Sequence, residues 1–277
     1  MTTTHQQHAA QLLHSLHRPG SPLVLPNAWD AASARIVADC GAAAVATTSA
    51  GVSWSLGSPD GEEVDRDRAL AVVARVAAAV TVPVTADIEG GYAADPAGVA
   101  RTVAAVLTAG AVGVNIEDGT PAGATALRPV DEQCARIRAA RQAADEAGVR
   151  LFVNVRTDVF LLAVGDPADR LAESLRRAAA YRAAGADGVF VPGVVDAETI
   201  GALVAGIDGP VNVLAGPGAP GVAALAELGV ARVSLGSALV RAAYGLVRRA
   251  ATEALRSGSY DSLADGIGYD ELNALLA

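Results

Sequence analysis

Ala109-Gly110-Ala111-Val112-Gly113-Val114-Asn115-Ile116-Glu117-Asp118 and Ala147-Gly148-Val149-Arg150-Leu151-Phe152-Val153-Asn154-Val155-Arg156-Thr157-Asp158 are built alike. Each opens on a glycine where a helix must stop. Each continues as a short apolar run and finishes in polar residues at alternate positions. Side chains alternate in direction along a strand, so Asn115 and Glu117 share one face, as do Asn154, Arg156 and Asp158. An apolar strand that turns polar only at its carboxyl end is the unit of a parallel sheet buried on both faces. The same pattern recurs along the chain. Eight β-rich runs are expected, at Leu23–Asn27, Ala43–Thr48, Pro83–Glu89, Val112–Asp118, Leu151–Asp158, Gly188–Gly193, Val211–Gly216 and Val230–Gly236. Alanine-rich amphipathic stretches lie between them, among them Asp65–Val80, Asp95–Ala109, Asp131–Ala147 and Ala168–Ala184. Eight strand–helix units in about 250 residues predict an α/β protein of the (β/α)8 TIM barrel class. The competing doubly wound sheet would carry a G-x-G-x-x-G turn after its first strand, and Asn27-Ala28-Trp29-Asp30 stands there instead. With no linker or composition break, residues 1–277 read as one barrel domain, with a helical lead-in over 1–20 and a helical extension over 245–277.

Composition narrows the chemistry. The net charge of −9 argues against a nucleic-acid backbone binder. All 21 basic residues are arginine; without lysine, Schiff-base chemistry and covalent pyridoxal phosphate are excluded. The four histidines, His5, His8, His14 and His17, precede the first strand and read as part of a polar leading helix, which argues against a Ser-His-Asp triad or a histidine-rich zinc site. Cys40 and Cys134 read as helix packing, too few for a secreted disulfide framework. No apolar run approaches ~18 residues and no signal-peptide core is present, so a soluble cytoplasmic protein with no membrane partner is expected.

Carboxylates, arginines, hydroxyls, backbone amides and a metal remain as chemical tools. In a barrel they matter at the carboxyl ends of strands. Strand one ends in Asn27. Strand two runs into Thr47, Thr48, Ser49, Ala50 and Gly51, followed by a long loop, Val52 to Glu63, that carries Asp60. Strand three presents Thr85, Asp87 and Glu89 on one face; strands four and five add Glu117 and Arg156. Such a cluster is costly to bury uncompensated, and oxygen ligands around Mg2+ or Mn2+, with an arginine on an anionic substrate, would compensate it. The plainer alternatives are caps for Asp118 and Asp158, an ion pair for Arg156 and a turn-shaping role for Asn27. The run Ala215–Gly221 lies where many barrels bind phosphate, or it only makes the turn.

In order and spacing, Pro26–Asp30, Thr47–Gly51, Gly57–Gly61, Ala86–Tyr92, Asn115–Asp118 and Asn154–Asp158 resemble the isocitrate lyase / phosphoenolpyruvate mutase superfamily, from about Leu23 to Ala250. The resemblance implies a barrel, commonly tetrameric, with its last helix swapped between subunits, that binds Mg2+ and a 2-oxo acid or its enolate. It implies Asp87 and Glu117 on the metal, Asp60 at its waters and Arg156 on a substrate carboxylate. Asn27 and the Ser49-Ala50-Gly51 backbone would hold the substrate. The family's strand-three Asp-x-Asp is read here with Thr85 in first place and Glu89 as the replacement ligand. The gating loop of the cleaving lyases, with its Lys, Cys and His, is replaced by Gly119–Arg128, which argues against isocitrate or 2-methylisocitrate cleavage; the Lys- and Asn-rich loop of the mutases is missing too. The expected protein is a homo-oligomeric, Mg2+-dependent lyase that cleaves a C–C bond of a small 2-oxo acid. The alternatives are P–C chemistry on phosphonopyruvate or phosphoenolpyruvate, and a barrel that binds a metabolite without turnover.

Overall fold

The computed structural model describes residues 4–120 and 126–277. Its strands are β1 (Leu23–Leu25), β2 (Asn27–Ala28), β3 (Val45–Thr47), β4 (Val84–Asp87), β5 (Gly113–Glu117), β6 (Phe152–Arg156), β7 (Gly188–Val191), β8 (Val211–Leu214) and β9 (Arg232–Ser234). All pair in parallel in the order β1-β9-β8-β7-β6-β5-β4-β3-β2. The two edge strands of that order are consecutive in the chain. They are halves of one expected strand, divided at Pro26, which has no N–H to give a ladder. The first half pairs with β9 and the second with β3, so the ring closes through the chain itself. Each of the eight expected runs contains a strand, and the α/β barrel stands.

The helices are α1 (Thr4–Leu16), α2 (Ala31–Asp39), α3 (Ser49–Ser55), α4 (Arg66–Ala79), α5 (Pro96–Thr108), α6 (Val130–Glu146), α7 (Arg170–Ala183), α8 (Ala197–Gly206), α9 (Val222–Glu227), α10 (Ala238–Arg256) and α11 (Tyr269–Leu276). Aspartates start several of them. Asp30, Asp65, Asp95 and Asp196 accept hydrogen bonds from the backbone N–H groups of Ser33, Arg68, Gly98 and Thr199, which would otherwise lack an acceptor. The helix-stopping glycines Gly110, Gly148 and Gly185 take φ of 97°, 68° and 111°, a left-handed conformation that an alanine would resist.

Three expectations change. The stretch after Gly51 is not loop from Val52 onward: α3 runs through Ser55, and its residues Ser49–Ser53 are buried. Seven residues cannot hold a helix by propensity alone. Packing against Trp29 and Val240 holds this one, because Gly51 admits both. The histidines are not merely polar surface. His17 is buried, donates from Nδ1 to Leu13 O at 2.7 Å, and stacks on Phe152 at 3.8 Å, with His14 edge-on to the same ring. Together with fully buried Leu13, they close the amino-terminal end of the barrel. Burial pushes His17 down to about 3, so it is neutral there. Finally, Cys134 is buried as expected, but Cys40, one residue beyond α2, is exposed.

The extension after the last strand is helical. In α10 only Val240 is buried; α11 lies against α2 of the same chain. No helix among the described residues is long and apolar enough to cross a membrane.

Candidate active site

Strand register brings the polar ends together. Asp87 pairs in register with Asn115, Asn115 with Asn154, and Glu117 with Arg156. Asp87 is fixed by the neighbouring strand: its N–H donates to Thr47 Oγ1 at 2.9 Å, and its Oδ2 accepts from the Ser49 N–H at 3.1 Å. Its negative charge acts on Asp60, Glu89, Glu117 and Asp158, raising the proton affinity of each, and on Arg156, whose charged form it favours. Asp87 is thus the centre of a convergent acidic cluster.

Arg156 stands opposite. Its Nη1 pairs with Glu117 Oε2 at 2.7 Å and its Nε with Asp158 Oδ1 at 2.6 Å. Burial alone would weaken its hold on a proton, and the two carboxylates more than reverse that. Burial pushes Glu117 and Asp158 up, while Arg156 pulls each back. One oxygen of Glu117, Oε2, is therefore paired with an arginine, one of the plain roles weighed for Arg156. Nη2 of Arg156 makes no hydrogen bond among the described residues.

Glu89 reaches in a different direction. Its Oε2 accepts from the Glu62 N–H at 2.5 Å, and its Oε1 from the Tyr92 hydroxyl at 2.9 Å. Tyr92 N–H in turn donates to Glu62 Oε1 at 3.1 Å. All three residues adopt left-handed backbone, with φ of 62° for Glu62, 50° for Glu89 and 51° for Tyr92. Three such non-glycine conformations in one reciprocal triangle are strain held in place by its own hydrogen bonds. The triangle ties the segment carrying Asp60 to the exit of β4. Burial, then the charge of Asp87, raises Glu89 to about 7. Asp60, at the rim, is raised by partial loss of water and by Asp87, and lowered by a hydrogen bond with Ser49. Neither Glu62 nor Tyr92 was singled out from sequence; the Gly-Gly-Tyr following Glu89 was the available signal.

Thr85 belongs elsewhere. It is buried deeper in the barrel, where a Cβ on Gly113 would come within 2.8 Å of its Oγ1 and 2.7 Å of Leu13. The two carboxylates that strand three brings to the mouth are Asp87 and Glu89, so the acid-x-acid pattern sits at Asp87-Ile88-Glu89. The position read as a lost ligand is a floor residue. Asn27 is corrected too: its Oδ1 accepts from Leu235 N and Gly236 N at 3.0 and 2.8 Å, and its Nδ2 donates to Thr47 O at 2.9 Å. Both ends of the amide staple the seam at Pro26, so its orientation is set by the backbone around it. Asp118, expected as a cap, is a fully buried anchor that accepts from Tyr181 and Arg177. Within Gly119–Arg128, residues 121–125 lie outside the described residues. The neck is held by Arg128, which donates to the carbonyl of Gly119 and packs so closely on Gly90 that a Cβ there would meet its guanidinium at 2.6 Å. The run after β8 is a turn closed by Ala219 N to Gly216 O at 3.0 Å.

Below the mouth lies a layer the sequence reading did not assemble. Asn154 Nδ2 donates to Asn115 Oδ1 at 2.9 Å and to Asn212 Oδ1 at 3.0 Å, and Arg232 Nη2 donates to Asn115 Oδ1 at 3.2 Å. The lone polar residue in the apolar run Val211–Leu214 and the lone charged residue in Val230–Gly236 were the signal for Asn212 and Arg232.

The donor set at the mouth is all hard oxygen, as Mg2+ requires. No group of three or more His, Cys, Asp or Glu side chains among the described residues is arranged to hold an ion. That fits Mg2+, which keeps most of its waters and takes one or two carboxylates; it does not fit a closed all-protein cage.

A parallel barrel with acidic side chains and an arginine meeting at the carboxyl ends of its strands defines a class of small-molecule enzyme. The chain belongs to the phosphoenolpyruvate phosphomutase family, whose model it matches over residues 13–255, within the isocitrate lyase / phosphoenolpyruvate mutase superfamily. An uncharacterised protein of Mycobacterium tuberculosis is 41% identical over 264 residues, 95% of each chain. A crystal structure described as a putative lyase/mutase from Burkholderia cenocepacia J2315 superposes with a TM-score of 0.91 at 40% identity, covering 98% of this chain and 96% of that one. The structure of oxaloacetate acetylhydrolase with its product oxalate gives a TM-score of 0.86 at 26% identity, covering 97% and 93%.

Proposed function

We propose that this protein is a lyase that cleaves a carbon–carbon bond of a small 2-oxo acid in the presence of Mg2+ or Mn2+. The observation that carries the reading is the acidic cluster around Asp87, facing Arg156. Asp87 and Glu117 would hold the ion, with Asp60 turned toward its waters, while Glu89, first read as a replacement ligand, would act through the triangle that holds the Asp60 segment. When bound, the ion supplies Lewis acidity toward the oxo and carboxylate oxygens of the substrate. The protein's own groups do the rest. Arg156, anchored by Glu117 and Asp158, offers Nη2 to a substrate carboxylate. Ala50 and Gly51, in the first turn of α3, have backbone N–H groups without intrahelical acceptors, and these face the other anionic end. The Glu62–Glu89–Tyr92 triangle keeps the Asp60 segment over the mouth and limits access of water. Oxalate, the product bound in the acetylhydrolase relative, carries the two negative ends that Arg156 and the α3 amides would receive.

Calorimetric titration with Mg2+, then with oxalate at saturating Mg2+, followed by turnover assays on a panel of 2-oxo acids, tests the proposal. Asp87→Ala should lose metal-dependent turnover by at least a thousandfold with the fold intact. Full activity in that variant would refute the assignment. The family match supports a second reading, P–C chemistry on phosphonopyruvate or phosphoenolpyruvate, and phosphorus NMR on those compounds separates the two. Binding without turnover across both panels would instead mark a metabolite-binding barrel. Thr85 no longer favours that outcome, since it lies outside the site.

A further inference from the structure

Arg232 is a costly residue to bury in the barrel. It leaves β9 and reaches Asn115 on β5, four strands away around the ring, so its side chain crosses the bore. It is 0% exposed. Nη2 has one neutral acceptor, Asn115 Oδ1 at 3.2 Å, while Nε and Nη1 have no hydrogen-bond partner. No carboxylate among the described residues lies within ion-pair distance of it, unlike Arg156, Arg177 and Arg141. A guanidinium keeps its proton in proteins. This is a permanent charge buried without a counter-ion, an arrangement that apolar side chains of similar volume commonly outperform in stability.

We propose that Arg232 is a positioning residue for the mouth: it holds the Asn115 amide from below, and its charge draws an anionic ligand into the site. The inference rests on the function proposed above and adds a second, hidden positive charge to it. The geometry gives both halves. Asn115 is the register partner of Asp87 and stands two residues before Glu117, on the same face. The bond from Arg232 fixes Asn115 Oδ1 as an acceptor, which Asn154 Nδ2 then uses; Asn154 in turn stands two residues before Arg156. The amide layer beneath both key side chains therefore takes its orientation from Arg232. The charge half follows from position. Burial weakens the arginine's hold on its proton, and the one charge that acts to restore it is Asp87. In a low-dielectric bore such a field is little screened. It acts with opposite sign on the two kinds of ligand expected at the mouth, repelling a cation and attracting an anion.

That opposition separates a positioning charge from a merely structural residue. Arg232→Met and Arg232→Gln should bind Mg2+ at least threefold more tightly than wild type and oxalate, at saturating Mg2+, at least tenfold more weakly. Arg232→Lys should stay within threefold on both. Urea denaturation should show Arg232→Met as stable as wild type or more so. A structural defect would weaken both ligands and the fold together, and that pattern overturns the proposal, as do unchanged affinities in the neutral variants. Failure of both neutral variants to fold, with Arg232→Lys folded, overturns it too, because the arginine is then a structural element. A wild-type protein that binds Mg2+ but no oxalate sinks the proposed function instead, and Arg232 is then judged on Mg2+ alone. Wild type that binds neither sinks both.

Discussion

Glu89 is where one residue's chemistry reaches the whole protein. It binds its proton at about 7 in the folded state against an ordinary 4.5, and is 3% exposed. The folded state is therefore favoured by protonation of Glu89. Its contribution to stability is greatest below about pH 4.5, declines as pH rises from 4.5 to 7 and is level above that. Glu89→Gln should flatten this slope, since an amide carries no proton to lose and the Tyr92 hydroxyl can turn to accept from it. Relative to wild type, the variant should gain about 1–3 kcal/mol at pH 8 and nothing at pH 4.5. Urea denaturation across that range measures it, and parallel curves for the two proteins would contradict the assignment. At this scale the sequence is a partial guide. Alternation along apolar strands placed Asp87, Glu117 and Arg156 at the mouth. It could not tell Asn27 the ligand from Asn27 the staple, because both roles need a buried amide at one strand end. The family's acid-x-acid motif was read one step too deep, from Thr85, because Thr85, Asp87 and Glu89 all share a face and only depth in the bore distinguishes them. His17 was unreadable: the partner that buries it, Phe152, is far away in sequence.

Among the elements, α3 shows what packing adds to pattern. Strands and long helices were legible because apolar period and aspartate caps act within a few residues. A seven-residue helix has no such signature, and the Ser-Ala-Gly sequence that begins it reads as a turn. It forms because small residues let it enter a tight space: a Cβ on Gly51 would lie 2.7 Å from Thr48 Cγ2, 2.8 Å from Trp29 Cβ and 3.3 Å from Val240 Cγ1. The same helix presents Ser49 N–H to Asp87, so its position and that of the acidic centre are coupled. Gly51→Ala should cost about 1–3 kcal/mol by overpacking and weaken Mg2+ binding with it. Urea denaturation and calorimetry on one preparation read both. Stability unchanged by the added methyl would mean that α3 has room to shift, and that it does not set the place of Asp87.

At the scale of the whole molecule, the unfinished surface is α10. Val240, Tyr244, Val247, Ala251 and Leu255 fall at i, i+4, i+7, i+11 and i+15, a single helical stripe. Its first residue is buried against the barrel beside Gly51. The stripe then runs past the barrel's edge, with Val247 63% and Leu255 87% exposed. The segment after it adds Tyr260, Leu263, Ile267 and Tyr269, all exposed. A helix that begins in the core of its own chain and continues the same apolar line into solvent requires a cover. A second copy supplies one by symmetry, since a two-fold axis sets the same patch against itself. The prediction is a dimer or tetramer, which the family resemblance also implies. Equilibrium sedimentation should find two or four copies of the 27.7 kDa chain. Val247→Asp with Leu255→Asp should shift that to single copies, with the circular dichroism of the barrel retained, because both side chains lie outside its core. Because Val240, at the other end of the stripe, packs beside Gly51 and α3, the separated chains should also bind oxalate more weakly. Wild type sedimenting as single copies at micromolar concentration would leave α10 uncovered and remove the assembly from the account.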